Sequence, residues 1–365
     1  MRSKFFILLI GAFLLQVPVS IAQKVIAPEK VWSAQKAHEW YGKQPWLVGA
    51  DYIPANAINQ LEMWQADTFD PKQIDKELGW AEALGMNTAR VYLHSLAYKA
   101  DPSGFKSRVN EFLKIADKHK IRPVLVFFDD CWNKQPAIGK QPEKKPGVHN
   151  SGWMQDPGDP AYKVASNYPA LEVYVKDVLK TFANDKRILL WDLYNEPGNS
   201  GKFGTTMPLL AKVVTWAREV NPSQPITMGL WSWGERYNEL NRFQLMNSDV
   251  VSYHCYDDPE RHLRTVQLLK LHGKPLICTE YMARTRNSTF ANTLPMLKKE
   301  KVAAISWGLV DGKSNTKYAW DTPMADGGEP KVWFHDIFKA DGTPYNKEET
   351  DLIRSLTADK VLSNK

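Results

Sequence analysis

The chain has 365 residues, 43% of them hydrophobic, and its 47 Lys and Arg against 41 Asp and Glu give a formal charge of +6. It is too long for a minimal domain and apolar enough to bury a large core. The basic residues are scattered, and the densest stretch (residues 140–145) is broken by proline and glutamate, so the clustered basic face of a nucleic-acid binder is excluded.

The first predicted element is a leader. Arg2 and Lys4 precede an apolar run over residues 5–15, and Ser20-Ile21-Ala22 supplies small residues before Gln23. This is the layout of a secretory signal peptide spanning residues 1–22. The run is too short for a comfortable membrane span and lacks a basic stop-transfer flank, so no membrane anchor is expected. The mature chain, residues 23–365, is expected to be secreted or periplasmic.

Eight short apolar or β-branched runs follow, at residues 46–52, 87–93, 122–128, 188–194, 226–231, 250–255, 276–279 and 302–307. Helical stretches separate them. Asp70-Pro71 reads as an N-cap with proline in the first turn, after which Ile74, Leu78, Ala81 and Leu84 recur at helical spacing and Gly85 ends the helix. Asp101-Pro102 repeats the device ahead of Val109, Phe112, Leu113 and Ala116, and Leu171, Val175, Val178, Leu179 and Phe182 form a third stripe. Strictly alternating βα units, eight in number, predict an α/β fold: a single-domain (β/α)8 TIM barrel. Two segments break the rhythm, residues 129–167 after the third strand and residues 308–331 after the eighth. Loops of that length are usually functional, and in a barrel both would wall the catalytic mouth.

The mouth of such a barrel is built from the carboxyl ends of its strands. Asp51 and Tyr52 stand at the first; Arg90, Tyr92 and His94 at the second; Asp129, Asp130 and Trp132 at the third. The fourth delivers Asn195-Glu196-Pro197, the fifth Trp231 and Trp233, the sixth His254 and Tyr256, the seventh Glu280 and the eighth Trp307. A carboxylate ending an apolar strand is costly to ionise, and Glu196 and Glu280 both occupy that position. Two such glutamates are the minimum equipment for cleaving a glycosidic bond. The 14 Trp, 14 Tyr and 14 Phe suit both sugar stacking and an ordinary large core.

Taken together, Arg90, Asn195-Glu196-Pro197, His254-x-Tyr256, Glu280 and Trp307 resemble clan A of the glycoside hydrolases. Within it the chain is most similar to the cellulase-like family five and to related exported bacterial proteins labelled xylanase or mannanase. The resemblance implies a retaining double displacement with Glu196 as acid/base and Glu280 as nucleophile. It also implies that Arg90 and Tyr256 hold Glu280, that Asn195 meets the sugar 2-hydroxyl and that Trp307 floors the cleaved sugar. His94, Asp129, Asp130, Trp132, Trp231 and His254 complete the expected substrate-binding set. That family often has a histidine after the third strand, where this chain carries Asp129-Asp130, a departure that bears on the substrate. The expected partner is a carbohydrate, with no metal and no cofactor.

Other readings stay open at this level. Arg90 could neutralise a buried acid, His254 could be a core histidine, and one of Trp231 and Trp233 could face the helices. Asp129, Asp130, His149 and Asp156 could cap turns. Asp129, Asp130, His149 and His254 could instead ligate a metal, although no His-x-His spacing supports it. A carbohydrate-binding barrel without turnover is a third class. Cys131, Cys255 and Cys278, odd in number, allow one bridge or three free thiols.

Overall fold

The computed structural model describes residues 20–159 and 164–358, so most of the expected signal peptide lies outside the described residues. Eight strands form one parallel sheet: β1 (Val48–Asp51), β2 (Thr88–Tyr92), β3 (Arg122–Asp129), β4 (Leu190–Asn195), β5 (Ile226–Thr227), β6 (Val251–His254), β7 (Leu276–Glu280) and β8 (Ala303–Ser306). Their order is β5-β4-β3-β2-β1-β8-β7-β6, which brings β5 and β6 to the two ends of the ladder. The seam is closed by a parallel bridge between Leu230 and Tyr253. Thr227 reinforces it, its hydroxyl bonding the Val250 carbonyl at 2.9 Å and Ser252 Oγ at 2.8 Å. The barrel expected from the sequence is therefore present.

All eight strands fall within or beside the expected runs, but β5 is shorter. Only Ile226–Thr227 form a ladder with β4, because Leu230 turns to pair across the seam with β6. The helix openings follow the sequence signals. Asp70 accepts from the amides of Lys72 and Gln73 to start the helix Pro71–Ala83, and Asp101 accepts from Gly104 to start Pro102–Lys118. Gly85 then takes a φ of +72°, which suits a residue without a side chain.

The core has three layers. A shell between sheet and helices holds most of the apolar residues, including Leu78, Phe112, Val178 and Leu210. The lower mouth of the barrel is plugged by the helix Ala34–Tyr41, where Trp32 and Ala37 pack with Leu47, Val124, Leu190 and Ile277. A small upper cluster of Tyr92, Val126, Cys131, Trp153 and Trp307 lies under the catalytic mouth. All three cysteines are free and buried, which settles the alternative left open above. Among the described residues no helix is long and apolar enough to cross a membrane.

Apart from a short 3-10 turn at Ala165–Asn167, the described residues of the segments after β3 and β8 are irregular, as expected, and the second segment runs beyond residue 331 to the N-cap Asn346 of the helix Lys347–Thr357. β1 and β2 approach closely at Gly49, where a Cβ would lie 2.0 Å from the Thr88 carbonyl oxygen. Gly49→Ala should therefore force β1 off β2 and lower stability by about 1–3 kcal/mol. Thermal unfolding of the variant checks this, and an unchanged Tm would contradict the close approach.

Candidate active site

Arg90 is the hub of the mouth. It projects inward from β2 and is fully buried. Its Nε and Nη2 donate to Asp192 Oδ2 at 3.1 and 2.8 Å, and Nη2 also donates to Asn195 Oδ1 at 2.7 Å. Its Nη1 donates to Asp51 Oδ1 and to Glu280 Oε1, both at 2.9 Å. One planar fork thus ties together β1, β2, β4 and β7. Arg90 neutralises buried acids, as the duller expectation had it, and one of those acids is Glu280; it does not itself line the cavity where a substrate would lie.

Glu280 ends β7 with both oxygens occupied. Tyr92 donates to Oε1 at 3.0 Å and Tyr256 to Oε2 at 2.8 Å. Burial raises its carboxyl above the ordinary glutamate value, and Glu196 raises it further, while His254, Arg90 and Tyr256 draw it back down. Charged and phenolic donors stabilise the ionised form, so these contacts favour a carboxylate at 280.

Glu196 follows β4 in a backbone conformation that few side chains adopt, with φ at +45°. The turn is held from below by Asp130, whose carboxylate accepts from the Gly198 amide at 2.7 Å, Lys202 Nζ at 2.6 Å, Thr206 Oγ1 at 2.6 Å and Tyr194 Oη at 2.9 Å. On the cavity side Glu196 Oε2 receives the Cys131 thiol at 3.1 Å and the Asn199 amide, and His254 Nδ1 lies 2.7 Å from Oε1. Burial raises the Glu196 carboxyl, only partly offset by Cys131 and Asn199. Burial also lowers His254 to about 4, so its ring is neutral near neutral pH. One carboxylate oxygen from each of Glu196 and Glu280, with a ring nitrogen of His254, lie within 4.8 Å of one another. A proton and a negative charge can be divided between two carboxyls at that separation.

These groups line a cavity of about 480 Å³, together with Asn195, Tyr256, Trp231 and Trp307 from the expected set. Trp132 stands at its rim, 41% exposed, and Trp233 likewise at 47%. Two expectations need correction. His94 does not reach the cavity: it is fully buried and caps the helix Ser95–Ala100, its Nδ1 accepting from the Leu96 amide. Asp130 is spent beneath the Glu196 turn and is likewise absent from the lining. Asp129 borders the cavity, but its oxygens are taken by the Cys131 amide at 2.9 Å, Trp153 Nε1 at 2.7 Å and Asn195 Nδ2 at 2.9 Å. It orients Asn195 so that the amide oxygen faces Arg90.

The alternative metal set is not brought together either. Among the described residues, the one group of His, Cys, Asp or Glu with ligand atoms mutually close is Glu196, His254 and Glu280. His149 instead uses Nδ1 on the Tyr318 carbonyl, 2.9 Å away. Sequence reasoning missed Cys131, Trp153, Asn199 and His335 as parts of the site. Trp153 and His335 come from the long loops, where no periodicity marks which side chains turn inward.

Because a single guanidinium joins four strands here, Arg90→Lys should cost about 3 kcal/mol, as one ammonium cannot span Asp192 and Glu280 together. Urea unfolding checks it; a loss no larger than about 0.5 kcal/mol, as for an ordinary surface change, would contradict the hub.

The family model "Cellulase (glycosyl hydrolase family 5)" matches residues 56–318. No curated protein matches in sequence. Solved structures similar in fold include a GH5_18 protein from Streptomyces cattleya in complex with Manβ1-4GlcNAc, at 9% identity and TM-score 0.60, covering 87% of this chain and 82% of that one. An exo-β-1,4-mannosidase from an Opitutaceae bacterium gives 19% identity and TM-score 0.57, with 85% of this chain and 59% of that one covered. The endo-β-1,4-mannanase of Thermotoga petrophila gives 14% identity and TM-score 0.56, with coverage of 87% and 77%.

Proposed function

Since the chain belongs to the cellulase family, glycosyl hydrolase family 5, and is thereby an enzyme of O-glycosyl bonds, we propose that it is an exported, retaining β-glycosidase of β-linked oligo- or polysaccharides. In this reading Glu196 is the acid/base and Glu280 the nucleophile. The observation that carries it is the 4.8 Å limit on the spacing of the Glu196, His254 and Glu280 ligand atoms. Retaining enzymes hold their carboxyls about 5–5.5 Å apart, whereas inverting ones need roughly 6.5–9.5 Å to admit a water.

The steps follow from the contacts. Glu196 enters protonated and gives its proton to the glycosidic oxygen as that bond breaks. Glu280, held ionised by Arg90, Tyr92 and Tyr256, attacks the anomeric carbon and forms a glycosyl ester. Glu196, now a carboxylate beside neutral His254, takes a proton from the incoming water, which displaces Glu280 and restores the starting anomer. Asn195 is fixed by Arg90 and Asp129 where it can meet the 2-hydroxyl as oxocarbenium character develops. Trp307 offers an aromatic face to the ring.

Two of the similar structures are named for β-1,4-mannan or β-1,4-mannoside hydrolysis and a third holds Manβ1-4GlcNAc, so β-mannosides head the substrate panel. Export rests on the leader, and N-terminal sequencing of the protein recovered outside the cytoplasm should begin at Gln23.

Azide distinguishes the two glutamate roles. With Glu280→Ala, azide enters from the face the nucleophile has vacated and yields the α-glycosyl azide after one inversion. With Glu196→Ala, azide displaces the ester and yields the β-azide after two. Proton NMR of the products reads the anomer, and the reverse assignment would exchange the roles. Glu196→Gln should lower kcat/KM for substrates with poor leaving groups about 10²–10⁴-fold and spare kcat/KM for activated aryl glycosides, whose kcat should still fall because no base activates the water that releases the ester.

The pH profile of kcat/KM should be bell-shaped. Activity appears as pH rises through the pKa of Glu280, which must ionise, and is lost as pH rises through that of Glu196, which must keep its proton. Because burial raises both carboxyls, the acid limb should fall above the ordinary glutamate value of 4.5. An acid limb at or below that value would contradict the buried pair.

A further inference from the structure

The two carboxyls, from the ends of β4 and β7, divide the mouth into unequal halves. One half carries β5 and β6; the other carries β8, β1, β2 and β3. The acid Glu196 must lie beside the leaving-group oxygen. Trp231 and Trp233, in the segment after β5, continue from its side, Trp231 Nε1 bonding the Pro197 carbonyl at 3.2 Å. Two of the three donors that hold Glu280, Arg90 and Tyr92, and the aromatic face of Trp307 belong to the other half, while the third donor, Tyr256, follows β6 and closes the site from the acid's side. The sugar that is attacked therefore sits there, and any sugar preceding it in the chain would extend across the mouths of β1 and β2.

That way is shut. The long loops after β3 and β8 are fastened together and to the segments that follow β1 and β2: the Lys313 amide donates to the Ala55 carbonyl at 2.9 Å, Asn59 Nδ2 to the Gly152 carbonyl at 2.8 Å and the Ser95 amide to Asp156 at 2.6 Å. The Asn150 amide donates to the Ser314 carbonyl at 2.9 Å, and the Met324 amide to the Gly147 carbonyl at 3.0 Å. Asn315 Nδ2 reaches the carbonyls of Lys145 and Val148 at 2.9 and 3.2 Å, and His149 Nδ1 meets the Tyr318 carbonyl at 2.9 Å. Below this strap, Trp153 is wedged edge-on between Tyr92 and Trp307, with centroids 5.0 and 5.6 Å away, and its Nε1 is pinned to Asp129. The recess remaining behind Trp153 and Trp307 measures only about 20 Å³. One water needs roughly 10–15 Å³ on that measure, so a sugar ring has no place there.

We propose that the enzyme is exo-acting: it removes single sugar residues from the non-reducing end of a β-linked chain. The strap and Trp153 block the position before the attacked sugar, while the flank of half-buried Trp231 and exposed Trp233 leaves the rest of the chain free on the leaving-group side. This rests on the hydrolase reading of Glu196 and Glu280 given above.

The test uses the intact protein on β-1,4-linked manno- and cello-oligosaccharide ladders carrying a fluorophore at the reducing end, with aryl β-glycosides alongside. The expected labelled products shorten one unit at a time, and unlabelled monosaccharide is the one small product released. A ladder capped at its non-reducing terminus should resist, because the cap occupies the blocked space. Labelled fragments from mid-chain, dimers as first products, or turnover of the capped ladder would each overturn exo action while leaving the glycosidase intact. No cleavage of any ladder or aryl glycoside would remove both.

Discussion

The site depends on a charge buried where water cannot reach it. Arg90 faces Asp51, Asp192 and Glu280 from the interior of the barrel, and its forked geometry lets one cation bond all three and Asn195 as well. Burying an arginine is expensive unless every donor finds an acceptor, and here the acceptors come from three other strands. Anything that moves one strand end relative to another disturbs these bonds. The barrel therefore fixes the carboxylate of Glu280, and the carboxylate in turn is one of the groups that keeps Arg90 inside.

The opposite carboxyl is held by a different device. Glu196 leaves β4 through a left-handed residue conformation, which persists only where the surroundings over-determine it. Asp130 supplies that determination from beneath, binding Gly198, Lys202, Thr206 and Tyr194, all within the segment that carries Glu196. The two glutamates thus differ in support: Glu280 is embedded among cationic and phenolic donors, while Glu196 meets a thiol, an amide and a neutral imidazole. Burial raises both and Arg90 draws both down, but Glu280 alone bonds the guanidinium directly, the kind of difference in surroundings by which similar side chains come to take different roles.

Access to the pair is decided by the two irregular segments after β3 and β8. They are joined mostly through backbone carbonyls, which lets a polar, glycine-containing sequence bridge the mouth without a core of its own. Trp153 anchors the bridge to the floor of the cavity. These contacts close one flank, with Trp132 beside His149 at its edge, while Trp233 stands exposed on the opposite flank, so the mouth is asymmetric by construction.

Much of this was legible in the residues. The eight apolar runs, the Asp-Pro helix starts and the glutamates ending the fourth and seventh runs followed from period, capping chemistry and the cost of a carboxylate at an apolar strand end. Arg90 and Tyr92 stand two apart on one strand, so their shared direction was determined by the pleat alone. Asp130 and His94 were misread because position after a strand says where a residue begins, not which way its side chain turns. His94 became a helix cap and Asp130 a buttress, each drawn inward by amide groups that only the folded chain presents. The sequence by itself determined the barrel and the identity of its acidic pair, since periodicity and local desolvation cost act over a few neighbouring residues. The separation of that pair, the reach of Arg90 across four strands and the closing of one flank were decided by the tertiary structure alone, because each joins residues tens to hundreds of positions apart whose meeting is a matter of packing.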